Sequence, residues 1–162
     1  MKKLLTKVIT AAIMVALSVA IALCGNNPAQ AMTYDFSWNG NGGYSATGSF
    51  SYDENTAPEK FSESGPGATQ ALQSLNVSFF NPSGNLVATY NNVVNGISTG
   101  QYFKLNFNKV TKEIFGLIDV GGEAAGESYL KGTVNTDLSL YQVPQSGPDT
   151  IGDSNSGTIV VK

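Results

Sequence analysis

The chain has 162 residues, with nine lysines, no arginine, no histidine and one cysteine against twelve carboxylates, for a net charge of −3. That balance argues against a nucleic-acid partner, because phosphate binding needs clustered positive charge. The missing histidine removes the usual general base of nucleophilic catalysis.

The N-terminus carries Lys2, Lys3 and Lys7, then an apolar run from Val8 to Cys24, then the small-x-small ending Ala29-Gln30-Ala31. This order predicts a secretory signal peptide over 1–31, cut between Ala31 and Met32. An uncleaved anchor is the alternative, although the apolar run falls short of the roughly 20 residues that span a bilayer. A lipoprotein reading at "IALCG" fails because Leu23, not a small residue, precedes Cys24. Cleavage leaves 32–162 as a single all-β domain that is periplasmic or extracellular, with no membrane association. That domain keeps six lysines and all twelve carboxylates, so its charge is 6 − 12 = −6. It has no cysteine, and its stability rests on a core and backbone ladders.

Period-two alternation dominates the chain beyond the leader. In "GYSATGSFSYD" Tyr44, Ala46, Phe50 and Tyr52 fall on one face and Ser45, Thr47, Ser49 and Ser51 on the other. Leu75, Val77 and Phe79 repeat the arrangement, as do Phe103, Leu105 and Phe107 with Tyr102, Lys104 and Asn106 opposite. Further strands are expected at 33–38, 86–90, 114–120, 129–134, 138–143 and 158–161. Asn-Gly at 39–40, 41–42 and 95–96 and "NPSGN" at 81–85 supply residues that accept the positive φ of tight turns. The stretches 55–67 and 144–157 lack alternation and read as surface loops, while 67–75 has room for a turn or two of helix. About nine short strands in this length predict an antiparallel β-sandwich, with a small β-barrel as the alternative. Trp38, Phe50, Phe79, Phe103, Leu105 and Phe107 are its expected core.

Few motifs carry chemistry. "GISTG" at 96–100 matches the nucleophile elbow in letters alone, since it lacks a histidine partner and a following helix. "SYLK" at 128–131 matches S-x-x-K, but three residues along a strand put Ser128 and Lys131 on opposite faces. "DVGGEAAGESY" at 119–129 sets Asp119, Glu123 and Glu127 among three glycines. Calcium needs several oxygens converging from a tightly wound loop, and acids spaced four apart do not supply that register. The stretch therefore reads as a turn between two strands, with calcium as the only cofactor worth testing. Phe80, Tyr102, Phe115, Tyr129 and Tyr141 are expected on outer faces, where aromatic rings could stack on sugars.

The stretches "FSWNGNGGYSATGSFSYDEN", "SESGPGAT", "SLNVSFFNPSGNL", "YNNVVNG" and "DVGGEAAGESYLKGTV" resemble a family of small exported cyanobacterial proteins, many with a C-terminal PEP-CTERM sorting tail. The resemblance covers most of 33–162 and rests on turn and strand motifs, so it implies a fold and carries over no catalytic residue. The end "SGTIVVK" shows no Pro-Glu-Pro, apolar helix or basic tail, which implies release rather than sorting. The expectation is a non-enzymatic surface, matrix or binding module with a glycan or cell-surface partner. A carbohydrate-binding or carbohydrate-active domain is the alternative.

Overall fold

The computed structural model describes residues 30–162. Residues 1–29, which hold most of the expected signal peptide, lie outside the described residues. Ala31–Lys162 form one compact unit. Its strands are β1 (Ala31–Asn39), β2 (Ser45–Asp53), β3 (Lys60–Ser64), β4 (Gly67–Ala68), β5 (Leu72–Phe80), β6 (Leu86–Val94) and β7 (Ile97–Ser98). They continue as β8 (Lys104–Asn108), β9 (Glu113–Ile114), β10 (Leu117–Gly121), β11 (Ser128–Thr133), β12 (Asp137–Gln142), β13 (Thr150–Asn155) and β14 (Ile159–Val161).

The strands form two antiparallel sheets rather than a closed barrel. The first runs β14-β1-β2-β5-β6-β7-β4, and the second β13-β12-β11-β10-β8-β3 with β9 added to β8. This is a β-sandwich, and the alternation explains it. Strands such as β3, β8 and the second half of β5 bury every second side chain and leave the others at least partly to water, so two sheets must face each other to close the core. All six expected core residues are buried. Phe50 of the first sheet meets Phe107 of the second edge-on, with ring centroids 4.8 Å apart. Burying each such side chain contributes about 1.5–3 kcal/mol.

Polar ties supplement the apolar contact. Asn92 on β6 donates from Nδ2 to the Gly121 carbonyl at 2.8 Å and accepts from the Gly121 amide at 3.0 Å, joining the two sheets inside the molecule. Tyr90 on the same strand accepts at its hydroxyl from the Ser128 amide at 3.1 Å.

Several expectations are corrected. The described residues form fourteen strands rather than about nine: β3 and β13 lie in expected loops, β4 and β7 are further two-residue strands, and β9 is split from β10. The expected loop 55–67 contains β3 and the start of β4, and 144–157 contains β13. No helix forms over 67–75, which holds β4 and the start of β5. The expected strand 114–120 is broken after Ile114, because Gly116 at φ 65 turns the chain from β9 into β10. Asn95 (φ 51) and Gly96 (φ 73) make the expected tight turn, here between β6 and the short β7. Among the described residues no helix is long and apolar enough to cross a membrane.

Candidate functional site on the outer face of the second sheet

The stretch that looked most reactive is a turn with assigned work for each acid. Asp119 points outward from β10, opposite Lys104 on β8 and Lys131 on β11. The Lys131 Nζ lies 3.0 Å from Asp119 Oδ2. Burial pushes the Asp119 carboxyl above its ordinary range. The Lys131 hydrogen bond and charge, helped by Lys104, pull it only part of the way back, while the nearby Glu123 charge raises it further.

Glu123 reaches across to the segment between β7 and β8. Its Oε2 accepts from the Gln101 amide at 2.9 Å and its Oε1 from the Tyr102 amide at 2.8 Å. Glu127 closes the turn from below, with Oε2 accepting from the amides of Glu123 and Ala124, each at 2.8 Å. Two glycines make room for these carboxylates. A Cβ on Gly100 would sit 2.9 Å from Glu123 Oε1, and one on Gly122 only 2.5 Å from Glu127 Oε2. The turn is fastened to the end of β12 by Gly126 N–H to the Val143 carbonyl (2.8 Å) and Val143 N–H to the Glu127 carbonyl (2.9 Å). The three carboxylates thus serve three different partners. Among the described residues no group of three His, Cys, Asp or Glu is placed to hold a metal ion.

The five aromatic candidates separate. Phe80 is half-buried at the end of β5, and Phe115 is exposed in the turn between β9 and β10. The other three come together. Tyr129 on β11 and Tyr141 on β12 are cross-strand neighbours whose rings stack at 5.0 Å with planes 8° apart. Tyr102, 66% exposed, stands on the segment that Glu123 holds. Tyr102 and Tyr129 line one cleft of about 300 Å³ with Asp119, Gly122, Glu123, Lys131, Val143 and Asp149. That volume is at the lower end of small-ligand sites.

Asp149, in the segment between β12 and β13, accepts from the Tyr129 hydroxyl at 2.6 Å. Burial, then this hydrogen bond and the Asp149 charge, push the Tyr129 phenol far above its ordinary value. Tyr129 is therefore a neutral donor whose proton is committed. The Lys131 Nζ lies 6.0 Å from the centre of the same ring, near the limit for a cation–π contact.

Sequence reasoning named Tyr102, Tyr129, Tyr141, Asp119 and Glu123 but did not join them, and it missed Lys131, Val143 and Asp149 as lining residues. Lys131 carried one legible signal, two positions after Tyr129 on the same strand face. Asp149 carried none, because it comes from an irregular segment. No protein-family model, curated protein or solved structure matches the chain.

Proposed function

We propose that the protein is an exported, non-enzymatic surface or matrix module that binds its partner through the outer face of the second sheet. One observation carries this reading: two tyrosines and three carboxylates, brought together from the 119–129 stretch and from the segments before β8 and β13, line one cleft. The non-enzymatic half is supported by how the carboxylates are employed. Asp119 is held by Lys131, Glu123 by two backbone amides and Asp149 by the Tyr129 hydroxyl. A carbohydrate-active centre would use two carboxyl groups, roughly 5–10 Å apart, free to trade protons across a substrate.

A carbohydrate ligand is favoured by the aromatic geometry. The Tyr129 ring is braced by stacking on Tyr141, and Tyr102 is an exposed ring lining the same cleft. Apolar ring faces with polar atoms at their edges suit the alternating C–H and O–H surface of a sugar. The resemblance to small exported cyanobacterial proteins agrees with a surface or matrix setting. A glycan array probed with the protein and with Tyr102→Ala tests the reading. Binding that is lost in the variant supports it, and binding indifferent to the variant rules out the cleft as the binding face.

A further inference from the structure

Resting on the reading of this cleft as a binding site, we infer that its ligand is a saccharide bearing protonated amino groups, and that acidic saccharides are rejected. The balance of donors and acceptors decides this. Three carboxylates and one ammonium line the cleft, so its formal charge is 1 − 3 = −2. Lys131, the only cation among those lining residues, gives one of its three N–H donors to Asp119 at 3.0 Å. The Tyr129 hydroxyl is given to Asp149 at 2.6 Å, which leaves the exposed Tyr102 hydroxyl and the rest of the Lys131 ammonium as donors.

What remains is an excess of acceptors. A carboxylate offers about four lone-pair sites. Glu123 spends one on each oxygen, and Asp149 shows one hydrogen bond to Tyr129. A partner for this surface must therefore be rich in donors. A sugar hydroxyl donates one proton and also asks for acceptance, whereas an ammonium donates three and asks for none. An ammonium is also attracted to the face of a tyrosine ring, and Tyr102 presents an exposed one. A uronate or sulfate would bring more negative charge to a cleft whose formal charge is already −2. Amino sugars satisfy both the tyrosine rings and the carboxylates of the cleft.

The test is calorimetric titration of the protein with four tetrasaccharides: glucosamine, its N-acetylated counterpart, glucose and galacturonate. The pH is chosen to keep the amine protonated. The glucosamine tetramer is expected to bind at least about tenfold more tightly than the glucose or N-acetylated tetramer, with no binding of galacturonate. Asp149→Asn, which keeps an acceptor for Tyr129, should shrink that preference several-fold. Tyr102→Ala, at an exposed position, should weaken every tetramer that binds. A chain rich in carboxylates attracts any polycation, so Asp35→Asn, on the first sheet, is the control. An equal loss in Asp35→Asn and Asp149→Asn would show general attraction and overturn the inference. Equal affinity for the glucose and glucosamine tetramers, both weakened by Tyr102→Ala, would overturn the amine preference and leave the cleft standing. No binding by any tetramer, or binding untouched by Tyr102→Ala, would overturn the preference and the cleft's assignment together.

Discussion

At the scale of single residues, carboxylates hold the loops of this protein. Glu63 accepts from the amides of Gln70, Ala71 and Leu72 at 2.9, 2.7 and 3.2 Å, and Asp153 from those of Gly42, Tyr44 and Ser154 at 2.7, 2.9 and 2.8 Å. With no cysteine after Cys24, these hydrogen bonds fasten irregular segments where a disulfide otherwise would. Asp153 and Asp119 should respond oppositely to pH. Burial raises the Asp153 carboxyl, but its three amide donors outweigh burial and leave it below the ordinary value. Its contribution is therefore fully present above an unfolded pKa of about 3.9 and is lost as pH falls through the lower folded value. Asp119 is raised, so its ionisation opposes folding increasingly as pH rises from the unfolded value through the folded one. Asp153→Asn should accordingly flatten the acid limb of a urea-unfolding stability profile. An acid limb identical to that of the parent would contradict the assignment. Glu123→Gln keeps one acceptor and loses the charge, which weakens the hold on Gln101 and Tyr102. Hydrogen exchange of those two amides should quicken roughly tenfold, the equivalent of about 1.5 kcal/mol for a bond to a charged group. Unchanged exchange would show that Glu123 does not position Tyr102. The triple variant Asp119→Asn, Glu123→Gln, Glu127→Gln addresses calcium. We expect the parent and the variant to show the same small change in melting temperature with calcium as with magnesium. A calcium-selective rise confined to the parent would establish a metal site, worth about 2.7 kcal/mol at a hundred times its dissociation constant.

At the scale of elements, strands that bury one apolar face announced themselves, and those that bury a carboxylate did not. The inward residues of β3 are Phe61 and Glu63, and Glu63 is only 4% exposed. A buried glutamate breaks the apolar–polar alternation that sequence reasoning follows, so Lys60–Ser64 read as loop. The same holds for β13, whose buried position is Asp153 rather than an apolar residue. Both acids are tolerated inside because backbone amides satisfy them. Glu63 takes those of Gln70, Ala71 and Leu72 just after β3, and Asp153 those of adjacent Ser154 and the distant Gly42 and Tyr44. The site was partly legible for the same reason. Residue types and outward orientation could be read from alternation, which picked out Tyr102, Tyr129 and Tyr141. The proximity of Tyr102 to Glu123 depends on sheet order, with β8 beside β10, and no local pattern encodes that. Asn92 shows how one element is registered on another. Asn92→Ala would strand the buried Gly121 amide and carbonyl, at about 1–3 kcal/mol for each unsatisfied group. A loss of at least about 2 kcal/mol in urea unfolding is expected. A loss near zero would mean that water replaces the side chain and that the tie is dispensable.

At the scale of the whole molecule, the two sheets divide the labour. Their inner faces share an aromatic core in which Phe107 touches Tyr34, Phe50, Tyr52 and Phe61. Phe107→Ala should cost about 3–5 kcal/mol of stability. A cost below about 1 kcal/mol would mean that this ring is not the centre of the sandwich. The outer face of the first sheet is hydroxylated and internally bonded, as in Ser51–Ser74 (2.6 Å) and Ser78–Thr89 (2.7 Å). The outer face of the second sheet instead concentrates tyrosines and carboxylates around a cleft. The proposed reading puts binding on that second face, and mapping amide chemical shifts during titration with the glucosamine tetramer tests it most directly. Shifts are expected to concentrate at Gln101, Tyr102, Glu123, Tyr129, Lys131 and Asp149, with the first sheet silent. Shifts centred on Thr47, Ser49, Asn76 and Ser78, or spread evenly over both faces, would contradict it.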